Sequence, residues 1–145
     1  MANKLSDRNK ILFYDFIVEF DILIGSKFGA YNINHKSIVQ FCEKNMILIG
    51  SLCKTQIENK YQYKHYILWD NNKPEKYKNV KGNDFAHNLL RHLRNAMAHG
   101  RIIAENRQKF SLSDINDNGR ITMDGKISMQ LFYNLIDVIK QTADN

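Results

Sequence analysis

Arg94, Asn95 and His99 fall close together in the stretch Leu89-Leu90-Arg91-His92-Leu93-Arg94-Asn95-Ala96-Met97-Ala98-His99-Gly100. Each brings a different capacity. A guanidinium is always charged and offers a planar fork of donors that matches a phosphate or carboxylate. An unperturbed imidazole titrates near pH 6.5, so it can take or give a proton at neutral pH. A carboxamide donates and accepts at once and can orient a group held between the other two. Together they suit an anionic ligand, and a phosphate grip beside a proton acceptor suits chemistry at that phosphate. The plainer reading is a solvated helix end, where histidine is favoured against the helix dipole and Arg and Asn are ordinary.

The spacing brings these side chains together only on a helix. At roughly 100° per residue, Phe85, Ala86, Leu89, Leu90, Leu93, Ala96 and Met97 fall within an arc of about 140°. The opposite arc holds His87, Asn88, Arg91, His92, Arg94, Asn95, Ala98 and His99. Asn95 and His99 are four apart and therefore neighbours, as are His87, Arg91 and Asn95 in turn. Asn83 or Asp84 is the expected N-cap, and Gly100 suits the left-handed position that stops a helix.

Arg94-Asn95-Ala96-Met97-Ala98-His99 matches the Arg-Asn-x-x-x-His form of the R-x4–6-H signature, and on it the chain resembles the HEPN superfamily of helical nucleic-acid-processing and nucleotide-binding domains. The resemblance implies a small bacterial RNA-cleaving member, plausible as a toxin or defence effector. It implies metal-independent cleavage by 2′-hydroxyl attack, giving a 2′,3′-cyclic phosphate and a free 5′-hydroxyl. His99 would take the 2′-hydroxyl proton, Arg94 would hold the phosphate, and Asn95 would orient one or the other. No cofactor or metal is expected. The family builds such sites where two motif helices meet, which implies a homodimer through the 84–99 helix. A restraining antitoxin or regulatory protein is implied in the same way. Ala98 either lets two helices approach closely or is an idle exposed alanine. A HEPN-like module that binds nucleotide, RNA or protein without cutting is the alternative.

Charge supports a polyanionic partner. Of the formal +6, the whole excess lies between Asn71 and Phe110, with nine Lys or Arg against three Asp or Glu; the remainder is neutral. Such a field concentrates nucleic acid and supplies phosphate contacts. Arg91, Arg101, His87 and Lys81 are the candidate RNA-binding residues. Each is also explained by a solvated face, Arg101 equally by an acidic neighbour. Tyr61, Tyr63, Tyr66 and Trp69 offer stacking surfaces, although such spacing more often marks core. Asp114-x-Asn116-x-Asn118-Gly119 copies the first half of a calcium loop, but Gly125 stands where the bidentate Glu belongs, so a hairpin turn is expected.

A chain of 145 residues with 43% hydrophobic content supports one domain with a real core. Met1–Asn3 are expected to fray. Helices are expected over about 5–26, 36–60, 84–99 and 128–142, with a β-hairpin over 109–114 and 120–123. The second helix would carry both Cys42 and Cys53, about 16 Å apart and beyond disulfide reach, as buried free thiols. Gly50 would sit mid-helix. Segment 61–69 reads either as an extension of that helix or as an aromatic connector. The expected fold is all-α: an up-and-down four-helix bundle with a short hairpin between the last two helices. Asp15, Glu19 and Asp21 interrupt the apolar run Ile11–Ile24, so no signal peptide or membrane span is expected, and a cytoplasmic location follows.

Overall fold

Helix α1 (Asp7–Ile22) begins where Ser6 Oγ accepts the Asn9 N–H at 3.1 Å. The helix buries Phe13, Phe16 and Phe20 along one stripe, the three-, four- and seven-residue spacing of a core-facing face. A 3₁₀ turn (Ile24–Lys27) follows. Helix α2 (Lys36–Asn45) is capped by His35 and buries Ile38 and Cys42. The computed structural model describes residues 4–144; the expected fraying of Met1–Asn3 lies outside them.

Beyond α2 the chain departs from the all-helical expectation. Met46 takes a left-handed backbone with φ 54°, and β1 (Ile47–Ser51) begins at once. A short helix α3 (Lys54–Asn59) and a 3₁₀ turn lead to β2 (His65–Trp69), which pairs with β1 in parallel. The expected 36–60 helix is thus two helices with a strand between them. The physical reason is that Ile47-Leu48-Ile49 is a short continuous apolar run, which fits a buried helix turn or a strand equally. Pairing with Tyr66-Ile67-Leu68-Trp69 decides for the strand. Gly50 is therefore a strand residue, and segment 61–69 ends in a strand.

The site-bearing helix α4 (Phe85–Ala98) comes next, then β3 (Ile102–Ala104), β4 (Lys109–Ile115), β5 (Ile121–Ser128) and helix α5 (Met129–Gln141). The sheet order is β1-β2-β5-β4-β3, and every pairing except β1–β2 is antiparallel. The expected β4–β5 hairpin is present and longer than expected, and β3 adds a strand to it. An all-α four-helix bundle is therefore incorrect: the fold is a mixed α/β layer arrangement around a five-stranded sheet.

One face of the sheet carries the core. Phe110 and Leu112 of β4, Met123 and Ile127 of β5, and Ile67 and Trp69 of β2 meet Phe13, Leu89, Leu93, Phe132 and Leu135 from the helices. The Phe110 ring lies 5.5 Å from Phe13 and 5.2 Å from Phe132, the edge and tilted geometries that aromatic quadrupoles favour. Gly125 sits at the centre: a Cβ there would come within 2.9 Å of the Tyr66 carbonyl oxygen and 3.1 Å of Leu112. Cys42 is buried and Cys53 exposed, both free, so only one of the two thiols is sheltered as expected. Burial pushes the Cys42 thiol up to about 11, which keeps it protonated and inert. Among the described residues no helix is long and apolar enough to cross a membrane.

Candidate nucleic-acid site on the motif helix

Helix α4 is fixed at both ends. Asp84 is its N-cap: Oδ1 accepts the His87 N–H at 2.8 Å, while Oδ2 accepts the N–H groups of Gly29 (2.8 Å) and Tyr31 (3.1 Å). One buried carboxylate thus starts the helix and ties down the loop before α2. At the other end Gly100 has φ 69°, and the Arg101 N–H donates to the Ala96 carbonyl at 2.8 Å, the helix-ending pattern expected of a glycine.

The polar arc is far less solvated than its composition suggests. His87 and Asn88 have no exposed surface, and His92 retains 4%. His87 sits in an aromatic cage, its ring 5.1 Å from Phe28, 5.2 Å from Tyr77 and 5.5 Å from Phe20. Its Nε2 lies 2.9 Å from the Ile24 carbonyl oxygen, so this nitrogen carries the hydrogen. Burial holds the imidazole below its ordinary proton affinity. An RNA-contacting role for His87 is not compatible with that enclosure.

What remains open is a concavity of about 310 Å³ between the C-terminal half of α4 and the ends of β2, β4 and β5. Arg91, His92, Asn95 and His99 line it from the helix, facing Asp70, Asp114, Asn116, Asp117 and Thr122. Its floor is a buried pair: His92 Nδ1 lies 2.8 Å from Asp114 Oδ2, and His92 Nε2 lies 2.9 Å from the Asp70 carbonyl oxygen. His99, the C-cap residue of α4, is exposed and has no side-chain hydrogen bond among the described residues. The same holds for the half-buried Asn95. The structure therefore brings Asn95, His99 and Arg91 to one place.

It does not bring Arg94 there. Arg94 turns to α1, where Nε and Nη2 donate to Asp21 Oδ1 at 3.0 Å and Oδ2 at 2.9 Å. This planar two-point pair holds the Asp21 carboxyl below its usual range and raises the proton affinity of the guanidinium.

The family model HEPN pEK499 p136 matches residues 11–145, nearly the whole chain and all of α4. The protein belongs to the HEPN family. No curated protein and no solved structure matches it significantly.

In this HEPN chain the outlying candidates separate. Lys81 is exposed but lies before α4, whose first residue is about 20 Å along the axis from His99. Arg101 is half-buried beyond the helix, its Nε enclosed without a partner, and forms no ion pair among the described residues. Its carbonyl accepts the Ser113 N–H at 3.2 Å, which joins the end of α4 to β4. Tyr66 and Trp69 are core, whereas Tyr61 is 81% exposed. The calcium-like loop is a hairpin turn: Asn116 Oδ1 accepts the N–H groups of Asn118 and Arg120, both at 3.0 Å. No group of metal-ligating side chains that could hold an ion occurs among the described residues.

Asp114 is the site residue that sequence reasoning passed over. Its signal was present: Phe110, Leu112 and Asp114 are alternate residues of one strand, all facing inward. A carboxylate in a core-facing row needs a partner, and that partner is His92.

Proposed function

We propose that this HEPN protein is a metal-independent RNA endonuclease whose base is His99. The observation that carries the reading is an exposed, unpartnered imidazole closing a concavity that it shares with Asn95 and Arg91 on the family's motif helix. His99 takes the 2′-hydroxyl proton, the 2′-oxygen bonds to the adjacent phosphorus, and the bond from phosphorus to the 5′-oxygen breaks. The products are a 2′,3′-cyclic phosphate and a 5′-hydroxyl, the leaving oxygen receiving a proton. Asn95, one helical turn from His99, orients the phosphate. The guanidinium that counters the added charge is Arg94, as the signature has it, or Arg91.

A second proton-transfer group is required at the leaving oxygen, and a second copy of His99 meets that need. The surface for that homodimer is the outer stripe of α4, with Arg91, Arg94, Asn95 and Ala98 at i, i+3, i+4 and i+7, in which Ala98 is exposed and the other three are half-buried. A nuclease directed at its host's RNA also requires a restraining protein or a trigger. The test is an oligonucleotide carrying a single 2′-deoxy nucleotide at the cut position: cleavage there is expected to stop while other positions are still cut. Cutting that continues at the 2′-deoxy position contradicts 2′-oxygen attack.

A binding module that does not cut is the second reading. It is favoured by the engagement of Arg94 with Asp21 and by three aspartates around the concavity. It predicts affinity for RNA without any cleavage.

A further inference from the structure

Helix α4 carries two arginines three residues apart, and their surroundings are opposite. The donors of Arg94 meet both oxygens of Asp21, so an incoming phosphate has to displace a carboxylate already in place. Arg91 lines the concavity with Asn95 and His99 and forms no ion pair among the described residues. Its Nε is buried without any acceptor. Nη2 lies 3.5 Å from His92 Nε2, at the outer limit of a hydrogen bond. That nitrogen also lies 2.9 Å from the Asp70 carbonyl oxygen, so it gives Arg91 at most one long contact.

The two aspartates whose charge reaches Arg91 are committed elsewhere. Asp114 accepts from His92 and from the Ile115 N–H at 3.0 Å. Asp70 accepts the Asn72 N–H at 2.7 Å and its carboxamide at 3.3 Å. They lie close enough to favour a cation at Arg91 without pairing with it, and burial still lowers its proton affinity below the ordinary value. A half-enclosed guanidinium with unused donors is costly unless an anion completes it. Arg91, Asn95 and His99 also form one row at i, i+4 and i+8, spanning about 12 Å along the axis. A phosphate over Asn95 is then flanked by the guanidinium on one side and the imidazole on the other.

We infer that Arg91, and not the signature residue Arg94, is the guanidinium that holds the scissile phosphate, and that the Arg94–Asp21 pair fixes α4 against α1. The assignment rests on the ribonuclease reading for its chemistry, but its binding half is independent of cleavage.

The test uses the full chain and Arg91→Ala, Arg91→Lys, Arg94→Ala and Arg94→Lys, each with its melting temperature measured. On cleavable RNA in excess EDTA, Arg91→Ala is expected to lower kcat about 10²–10³-fold, and added guanidinium ion to restore part of that rate. Arg91→Lys, which keeps the charge and loses the fork, is expected to stay at least tenfold below wild type with an unchanged melting temperature. Arg94→Ala is expected to lose less than tenfold, with a lower melting temperature and no rescue by guanidinium. The reverse pattern, with rescue confined to Arg94→Ala, overturns the assignment.

The same variants are titrated with a 2′-O-methyl RNA that cannot be cut. A wild type that binds it and cleaves nothing removes the ribonuclease reading. In that case a tenfold or greater loss of affinity in Arg91→Lys, absent in Arg94→Lys, still supports Arg91 as the phosphate grip. Equal affinity of wild type and Arg91→Lys for this RNA overturns it.

Discussion

The two flanks of α4 each pair an aspartate with a basic side chain, in very different settings. On the α1 side, Arg94 and Asp21 meet at the surface, with 26% and 50% of their side chains exposed. On the sheet side, His92 and Asp114 meet at 2.8 Å with 5% and 6% exposed. An exposed pair is solvated and screened, so it contributes little to stability even while it holds its donors in place. A buried pair is desolvated, and removing one member strands the other. The comparison teaches which groups near the concavity are framework and which are free to act. His92 and Asp114 are framework, Arg94 is occupied, and Arg91, Asn95 and His99 remain available.

The contrast is broken most severely by Asp114→Ala. It strands His92 beneath the concavity and is expected to cost about 3 kcal/mol, measured by urea unfolding. A loss under 1 kcal/mol means that the two flanks do not differ as argued.

A pH series sharpens the difference between the two ends of α4. His87 is held below its ordinary proton affinity in the folded chain by burial, whereas an unfolded histidine titrates near 6.5. Between the folded value and about 6.5 the unfolded chain binds more protons, so stability rises with pH across that window. It is complete above about 6.5 and falls as the pH is lowered. His65, also lowered by burial, contributes with the same sign. In His87→Phe the dependence is expected to flatten; a slope identical to wild type contradicts the assignment to His87.

The smallest expected effect is on the exposed flank. Asp21→Asn is expected to cost less than about 1 kcal/mol, and a double-mutant cycle with Arg94→Ala to give a coupling of similar size that weakens in high salt. A coupling of about 3 kcal/mol, insensitive to salt, would mean that the pair behaves like a buried one and that the two flanks do not differ.

Much of the site was legible in the sequence because local rules govern it. The cap at Asp84, the stop at Gly100, the apolar stripe from Ala86 to Met97, and the neighbouring Asn95 and His99 all follow from helical period and terminus chemistry. The hairpin strands at 109–114 and 120–123 followed from alternation around an Asn- and Gly-rich turn, though not their full length. The fold class did not follow, because β1 and β2 are defined by each other: Ile47-Leu48-Ile49 becomes a strand only opposite His65–Trp69, eighteen residues on. Burial of the polar arc was hidden for the same reason. His87 meets Phe28 and Tyr77, His92 meets Asp114, and Arg94 meets Asp21, all partners distant in sequence. A helical wheel counts polarity around one helix and is blind to polar groups that other segments enclose.

The most direct test of the central claim is cleavage of end-labelled RNA by the purified protein in excess EDTA, beside His99→Ala. The expected result is cutting that survives chelation, leaves 2′,3′-cyclic phosphate ends, and falls by about 10²–10⁴-fold in the variant. Undiminished cutting by His99→Ala, or none by a folded wild type on several RNAs, would contradict the assignment of His99 as the base of a ribonuclease.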